Sequence, residues 1–357
     1  MKIGILTYHY AHNYGAVLQC YALQEYLSSL GHTVKIIGYE NSNIIKDYIV
    51  FDIRRFLMRN PISLLKRIFH EIKYYNVRRE RHNAFEGFIK SRLNICKPQE
   101  IMSEPFDLII IGSDQVWNYK LTNGFDFYYW GGFYHPKTTE LATYAVSMQD
   151  NWPADIDEEI KKKISNFQYL SVREEKLAKK LSQIVPNRNI NVVVDPTLLF
   201  KSYDWNKVAE KPQINFRYLL LYQVDTNSLA EAVAAKVAEE LNVKIIRLFA
   251  QPDKPHSAEV ANCSPCQFVG LFKYADFVVC SSFHGTVFSI MYKKPFYSIK
   301  VPGKSSRVET LLEKFNLSEF LISKVPPMIS KVNYQNIPSD ISEKSKAYLK
   351  EITNSNE

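Results

Sequence analysis

No stretch of this sequence is long and apolar enough to span a membrane. A membrane-spanning helix needs roughly 18 consecutive apolar residues, and none of the apolar runs reaches that length. Met1 leads directly into the apolar run Ile3–Leu6, without the basic start and small-residue cleavage site of a secretory signal. We therefore expect a cytoplasmic protein, at most in peripheral contact with the inner face of the cytoplasmic membrane.

Cysteine is scarce, with five residues in a chain of 357. An odd number scattered over a long chain fits reduced thiols better than a disulfide framework. Cys263-Ser-Pro-Cys266 lacks the second Cys or His pair of a zinc site and the first-strand position of a thioredoxin motif. The HExxH, GxSxG, GxGxxG and Walker A sequences are missing too. We therefore expect no metal and no bound cofactor.

The net charge of +8 is concentrated in one segment. Residues 43–97 contain thirteen Lys and Arg against five Asp and Glu, so the rest of the chain is neutral. A nucleic-acid binder would be basic over a whole domain. Between residues 49 and 72, apolar residues recur at helical spacing on both sides of Pro61. This amphipathic segment either presents solvated helical faces on the N-terminal domain or contacts anionic lipid at a membrane.

Strands and helices alternate along the rest of the chain. Residues 2–8 and 33–39 have the short, apolar, β-branched composition of buried strands, and residues 17–31 between them have helical spacing. Such strand–helix–strand units build parallel sheets with right-handed crossovers. A second series of the same kind starts after Lys211-Pro212. The pattern predicts an α/β fold with two Rossmann-like domains facing a central cleft.

The domain boundaries follow these two series. We predict an N-terminal Rossmann-like domain over residues 1–210, with the basic helical insertion at 43–100, and a C-terminal Rossmann-like domain over 211–325. Residues 326–357 are polar, and we expect them to form a helical tail that packs back on the N-terminal domain. Ligands of doubly wound sheets bind beyond the carboxyl ends of the strands, so the cleft is the predicted place of the chemistry.

The segment SSFHGTVFS, residues 281–289, follows an apolar strand and opens a helix. Ser282, His284 and Gly285 therefore lie at a helix start, where free backbone N–H groups and the helix dipole attract phosphate or carboxylate. A histidine there can donate a hydrogen bond to an anion or pass a proton. The alternative is a histidine that only packs or caps the loop.

Three further basic residues follow predicted strands. Arg173 ends a strand in SVREE, where its guanidinium can grip a carboxylate or phosphate through two hydrogen bonds. Lys304 and Arg307 lie in the glycine-containing loop GKSSR and can clamp an anion. The alternatives are a surface ion pair of Arg173 with Glu174 or Glu175, and solvated charges in the loop.

Two loops carry candidate sugar contacts. One precedes the first predicted helix, and the other is GSDQVWN, residues 112–118. Glycine allows close approach of the backbone to a ligand, and polar side chains can bind sugar hydroxyls. An indole ring can face a sugar, although a core position for it is an equal alternative. The candidates are Asn13, Tyr14, Gly15, Ser113, Asp114, Gln115 and Trp117.

These segments, in this order, resemble the polysaccharide pyruvyl transferase family. The resemblance runs from KIGILTYHYAHNYGAVLQCYALQEYL through DLIIIGSDQVWN, YAVSMQ, SVREE and VVVDPTLLF to ADFVVCSSFHGTVFSIMYKKPF and SSRVETLLEKF. It covers most of residues 1–40 and 105–320, and residues 43–104 carry no family motif. It implies a fold similar to GT-B glycosyltransferases, phosphoenolpyruvate as co-substrate, and acceptor and donor sides formed by the N- and C-terminal domains.

By this resemblance, His284 matches the active-site histidine and Arg173 a phosphoenolpyruvate-binding arginine, while Lys304 falls where members carry a further basic residue. The implied reaction moves the pyruvyl group onto two hydroxyls of a cell-surface sugar precursor. A galactoside, free or on a lipid pyrophosphate carrier, is the expected acceptor, and Asp114 and Glu174 are candidates for deprotonating its hydroxyl. The competing interpretations are a GT-B glycosyltransferase that uses a nucleotide sugar and a non-catalytic protein that binds polyanions or membranes.

Overall fold

A computed structural model of the chain describes residues 1–51, 60–103, 105–148, 154–254, 256–338 and 340–354, without the side chains of residues 61 and 154. The strands are β1 Lys2–Leu6, β2 Thr33–Ile37, β3 Ile95–Cys96, β4 Leu108–Ile111, β5 Glu140–Thr143, β6 Leu170–Val172, β7 Ile190–Val192, β8 Tyr218–Gln223, β9 Lys244–Phe249, β10 Phe277–Cys280, β11 Phe296–Ile299 and β12 Leu321–Ile322. The helices are α1 Tyr14–Ser29, α2 Ser42–Ile45, α3 Pro61–Arg92, α4 Glu100–Ser103, α5 Tyr119–Thr122, α6 Asp157–Ile164, α7 Glu175–Ile184, α8 Ser202–Trp205, α9 Ser228–Leu241, α10 Pro265–Tyr274, α11 Phe283–Met291, α12 Ser306–Lys314 and α13 Glu343–Asn354.

The chain divides into two compact units. Unit 1 contains residues 1–48, 89–200 and 340–357, and unit 2 contains residues 49–88 and 201–339. This division differs from the domain boundaries predicted from the sequence, because residues 49–88 belong to unit 2 rather than to the N-terminal domain and unit 2 resumes at Lys201. The predicted helical pattern at residues 52–59 lies outside the described residues.

Unit 1 is built on a parallel sheet with strand order β3-β2-β1-β4-β5. The central strands β1 and β4 are almost wholly buried, as expected for apolar runs covered by helices on both faces. Single parallel bridges at Asp114–Val146 and Val146–Val172 continue the sheet toward the β6–β7 pair. The order reverses between β1 and β4, so the loops after these two strands border the ligand-binding position of such a fold.

Helix α13, late in the chain, packs on unit 1. The Tyr348 hydroxyl donates a hydrogen bond to the Thr143 carbonyl at 2.8 Å, and the Ser345 hydroxyl accepts one from the Val194 amide at 2.8 Å. Leu349 and Ile352 on the same helix are fully buried. The helix therefore contributes both apolar contacts and hydrogen-bond partners to unit 1.

Unit 2 contains a second parallel sheet, with strand order β12-β11-β10-β8-β9. Here the order reverses between β8 and β10, which places the ligand-binding position beyond Gln223 and Cys280. The Ser281 hydroxyl accepts a hydrogen bond from the Val224 amide at 3.4 Å and so links these two strand ends. The two sheets confirm the predicted α/β fold with two Rossmann-like units.

Helix α3 contains most of the basic segment. Proline is well tolerated at a helix start because its missing N–H would be unpaired there anyway, and the helix indeed begins at Pro61 and runs to Arg92. Arg78 donates two hydrogen bonds to Asp253 of unit 2, at 2.6 and 2.5 Å. Arg81 donates to the carbonyls of Phe249 and Ala250 at the end of β9. Within unit 2, these contacts attach one side of α3 to the end of β9 and to Asp253.

No helix within the described ranges is long and apolar enough to cross a membrane.

Candidate active site

The strand ends of unit 1 hold a buried cluster of one arginine and three carboxylates. Arg173, which follows β6, is 5% exposed. Its Nη1 atom donates to Asp195 Oδ2 at 2.6 Å, and its Nε atom lies 3.4 Å from Glu174 Oε1. Asp114, after β4, is the third acid, with Oδ1 3.9 Å from Nη2. The structure thus brings together three residues that the sequence singled out and adds Asp195.

The cluster carries one formal positive charge against three negative charges. Burial by itself would lower the pKa of Arg173, but the nearby carboxylates of Glu174, Asp195 and Asp114 outweigh it and raise that pKa. Arg173 therefore stays charged and holds the carboxylates in place. The alternative of a surface ion pair is wrong in its location, because the pair with Glu174 is buried and the shortest bond of the arginine goes to Asp195, 22 residues further along the chain.

Among these acids, Asp114 is the most accessible. Its side chain is 16% exposed, against 8% for Glu174 and 0% for Asp195. The backbone at Asp114 is left-handed, with φ of 67°, which Asp tolerates better than most residues. Glu174 Oε1 accepts a hydrogen bond from the Ser147 hydroxyl at 2.6 Å. Asp114 is thus the carboxylate best placed to meet a ligand at this end of the sheet.

Three of the predicted acceptor contacts have no exposed side chain. Tyr14, Ser113 and Trp117 are each 0% exposed. Trp117 stacks on Trp130, with ring centroids 4.3 Å apart, and donates from Nε1 to the Tyr129 carbonyl. The core alternative for Trp117 is therefore the one that the structure supports, and its ring offers no face to a sugar.

The two predicted acceptor loops are joined to each other. The link is a hydrogen bond from the Tyr8 hydroxyl to the Gln115 carbonyl at 2.8 Å. Asn13 caps α1, because its side chain accepts hydrogen bonds from the Gly15 and Ala16 amides. Gly15 is buried within the first turn of that helix. Burial and the nearby Asp114 carboxylate raise the pKa of Tyr8, so it remains a donor.

In unit 2, the segment from Ser282 to Gly285 forms the start of α11 directly after β10, as predicted. The Ser282 hydroxyl accepts a hydrogen bond from the Gly285 amide at 2.9 Å and caps the helix. His284 lies on the first helical turn and is half-buried. The histidine is thus at the carboxyl edge of the sheet, beside the switch point between β8 and β10.

Gly285 is required by packing. A Cβ atom at this position would lie 2.9 Å from both Cys280 Cβ and Ser282 Oγ, and 3.0 Å from Tyr222 Cδ1. Because Ser282 Oγ is the helix cap, a side chain at residue 285 would disturb the helix start that carries His284.

Lys304 follows β11 and reaches back across the sheet edge. Its Nζ atom forms an ion pair with Asp225 Oδ2, after β8, at 3.2 Å. The two side chains are 65% and 57% exposed, and an exposed pair of this kind contributes only about 0–1 kcal/mol. An anion could therefore replace Asp225 as the partner of Lys304 at small cost in free energy. Arg307 lies in the first turn of α12 and is half-buried.

Three polar partners in these two sites were not foreseen from the sequence. Asp195, Asp225 and Ser147 each follow an apolar run closely, as Asp114 and Arg173 do. A polar residue shortly after a buried strand is therefore the sequence signal that predicts such site residues. Their partners are 22, 79 and 27 residues away along the chain, and local spacing cannot assign such pairs.

The Cys263–Cys266 segment is a helix start. The Ser264 hydroxyl accepts a hydrogen bond from the Gln267 amide, and the Gln267 side chain accepts one from the Ser264 amide, which together form a capping box at the start of α10. Among the residues that the structure describes, no group of three or more His, Cys, Asp or Glu side chains is placed to hold a metal ion.

Two parallel α/β sheets with polar and charged side chains gathered beyond their strands define a protein of the doubly wound α/β class, with candidate ligand sites at the strand ends. The family model for polysaccharide pyruvyl transferases matches residues 13–301. The chain therefore belongs to the polysaccharide pyruvyl transferase family, and the resemblance noted in the sequence is confirmed. The match includes Asp114, Arg173 and His284.

Among solved structures, the chain is similar to a putative UDP-N-acetylglucosamine 2-epimerase from Listeria monocytogenes (9% identity, TM-score 0.48, 99% of this chain and 88% of that one). It is also similar to the E. coli heptosyltransferase WaaC with ADP (10% identity, TM-score 0.39, 100% of both chains). A third is the Streptomyces sp. SF2575 glycosyltransferase SsfS6, complexed with thymidine diphosphate (14% identity, TM-score 0.37, 88% of this chain and 85% of that one). Likenesses this weak carry no information on function. No curated protein matches the chain significantly.

Proposed function

We propose that this transferase uses phosphoenolpyruvate as donor and forms a cyclic pyruvate ketal on two hydroxyls of a cell-surface sugar precursor. A galactoside, free or attached to a lipid pyrophosphate carrier, is the proposed acceptor. The observation that carries the proposal is the position of His284. It lies within the residues matched by the family model, on the first turn of α11 and beside the switch point of the unit 2 sheet.

The donor side of the proposal rests on unit 2. Phosphoenolpyruvate carries a phosphate and a carboxylate, and the start of α11 offers the partial positive charge of a helix N-terminus. Lys304 adds a full positive charge that only the exposed Asp225 opposes. Ser282, Gly285 and Arg307 complete this donor-binding set, in which the first two shape the helix start.

The acceptor side rests on unit 1. Asp114 is partly exposed and carries a negative charge beyond β4, so we assign to it the deprotonation of the sugar hydroxyl. The Glu174 carboxylate already accepts a hydrogen bond from the Ser147 hydroxyl and lies close to Arg173. We therefore assign Glu174 a positioning role. Gln115, half-buried next to Asp114, is the remaining candidate for a bond to a sugar hydroxyl. The contact of Arg173 with phosphoenolpyruvate stays a prediction.

The reaction needs an acid and a base. A proton added to the methylene carbon of phosphoenolpyruvate makes the adjacent carbon electron-poor, and the first sugar hydroxyl attacks that carbon. The carbon–oxygen bond to phosphate breaks, and the second hydroxyl closes the ring. The two sugar hydroxyls release two protons in total. One replaces the proton that was added to the methylene carbon, and the other is taken up by the departing phosphate. His284 is the proposed acid, a role that contributes typically 10²–10⁴-fold in rate.

The test is to incubate the purified chain with phosphoenolpyruvate and a panel of galactosides, glucosides and mannosides. We expect release of inorganic phosphate and an acceptor mass increased by one pyruvate less one water. His284→Ala should lower turnover about 10²–10⁴-fold. His32→Ala is the matched control, because His32 precedes β2 at the opposite, amino edge of its sheet. Release of nucleotide from a nucleotide sugar, with no phosphate from phosphoenolpyruvate, would overturn the proposal.

A further inference from the structure

Helix α3 exposes a row of large apolar side chains. Ile62, Leu65, Phe69 and Ile72, here called the apolar face, follow each other at spacings of three or four residues and lie on one side of the helix. Each is between 67% and 72% exposed. A row of such side chains on a protein surface marks an interaction site.

The apolar face is not the side by which α3 is attached to unit 2. Glu71 and Arg78, seven residues apart, point the other way, are 4% and 7% exposed and bind each other. Arg78 also binds Asp253. These ion pairs fix the buried side of α3, while its apolar face points to solvent.

The charges around the apolar face have one sign. Residues 61–79 contain a single acid, Glu71, which is buried and paired with Arg67 and Arg78. Lys66 and Lys73, one heptad apart, border the apolar face and are exposed. Among the described residues, no acid forms an ion pair with Lys66 or Lys73, so the outer surface of this helix combines large apolar side chains with positive charge.

An apolar hollow continues this surface. A cavity of about 420 Å³ opens beside the helix, lined by Phe51, Ile68, Glu71, Ile72 and Tyr75. Four of its five lining residues are apolar or aromatic, and Ile72 belongs to the apolar face itself. The hollow gives room for part of a hydrocarbon chain next to the exposed row.

We propose that the apolar face of α3 docks on an anionic lipid surface, with its apolar side chains in the headgroup–acyl boundary and Lys66 and Lys73 at the lipid headgroups. A helix with an apolar row and lysines at its border is the composition that lies in a membrane interface. A second copy of the chain is a poorer occupant, because residues 43–97 carry a net charge of +8 and two such segments repel each other. This inference concerns location and does not depend on the proposed reaction.

The experiment is flotation of the full chain with phosphatidylcholine vesicles, with and without phosphatidylglycerol. We expect binding to the anionic vesicles only, weakened by salt. Phe69→Gln combined with Ile72→Gln should lower the partition coefficient at least about a hundredfold, since each such side chain contributes roughly a factor of 10 or more. Lys66→Glu combined with Lys73→Glu should lower it at least about thirtyfold.

Matched controls come from the same chain. Met328→Gln removes an apolar side chain that is 76% exposed elsewhere in unit 2, and Lys344→Glu with Lys350→Glu reverses two exposed lysines on α13. Both should bind like the parent. Equal binding to neutral vesicles, unchanged binding of the α3 variants, or a dimer that Phe69→Gln with Ile72→Gln converts to a monomer would each overturn the inference. Turnover of a soluble acceptor should stay at the parental level in the α3 variants, so loss of vesicle binding and loss of activity are separate outcomes.

Discussion

Replacing Arg173 by alanine tests whether the buried charge cluster of unit 1 is structural as well as functional. The change removes the guanidinium and leaves Asp114, Glu174 and Asp195 close together without their cation. Two of the three acids are less than a tenth exposed, so water cannot replace the lost partner. We expect Arg173→Ala to destabilise unit 1 in addition to lowering activity.

The expected size follows from the burial of the ion pair. Breaking a buried pair by removing one partner costs about 3–5 kcal/mol, and the 2.6 Å bond to Asp195 is fully buried on both sides. Arg217, which pairs with Asp276 at 2.9 Å but is 65% exposed, is the matched control. Arg217→Ala should cost only about 0–1 kcal/mol. Asp195→Asn in the Arg173→Ala background should restore part of the lost free energy of unfolding, because it removes one of the three negative charges that remain close together.

Urea unfolding followed by tryptophan fluorescence measures the effect, because the stacked Trp117 and Trp130 lie in the core of unit 1. A loss of about 1 kcal/mol or less at pH 7, the size expected of an exposed pair, would refute this account of the cluster.

Three further predictions follow from single sites. Asp114→Asn should abolish most of the pyruvyl transfer in the phosphate-release assay with little change in the free energy of unfolding, and a variant with parental turnover would remove Asp114 as the base. Gly285→Ala should cost about 1–3 kcal/mol in urea unfolding through the close contacts of its Cβ, whereas Gly87→Ala on α3, where a Cβ meets nothing within 4 Å, should stabilise by about 0.4–1 kcal/mol. Burial lowers the pKa of His256, whose Nε2 accepts a hydrogen bond from the Phe249 amide. Because the pKa is lowered in the folded state, His256 contributes its full stabilisation at pH values above the ordinary pKa of histidine. This contribution is lost as the pH falls below that value. His256→Gln should therefore flatten the loss of stability below about pH 6.5, and an unchanged acid slope would contradict the assignment.

Much of the secondary structure could be predicted from periodicity alone. The helix expected at residues 17–31 is α1, Tyr14–Ser29, and the helical tail expected over residues 326–357 contains α13, Glu343–Asn354. The predicted strands are longer than the observed ones. Residues 2–8 and 33–39 are predicted as strands, for example, whereas β1 spans Lys2–Leu6 and β2 spans Thr33–Ile37. The sequence period shows which residues face the core, but the end of a strand depends on its hydrogen bonds to the adjacent strand.

The site was predictable only in its individual residues. His284 at a helix start could be foreseen from the local sequence, because strand, cap and helix follow one another without interruption. The surroundings of Arg173 could not, since its partners come from β4 and from the segment after β7. Likewise, the local sequence predicts that α3 is amphipathic but does not show that Arg78 and Asp253 attach it to unit 2, 175 residues apart.

The late position of α13 has a consequence for how the chain is made. Unit 1 begins at the first residue, yet Tyr348 and Ser345 supply hydrogen bonds to its sheet region. During synthesis, these partners emerge only after all of unit 2 has been translated. Until then, the Val194 amide lacks its Ser345 acceptor, and the Thr143 carbonyl has the Ser171 hydroxyl but not Tyr348 as a donor. The nascent N-terminal sheet therefore stays incomplete while unit 2 can already fold. Deleting residues 340–354 should accordingly give a chain in which unit 2 retains its structure and unit 1 aggregates.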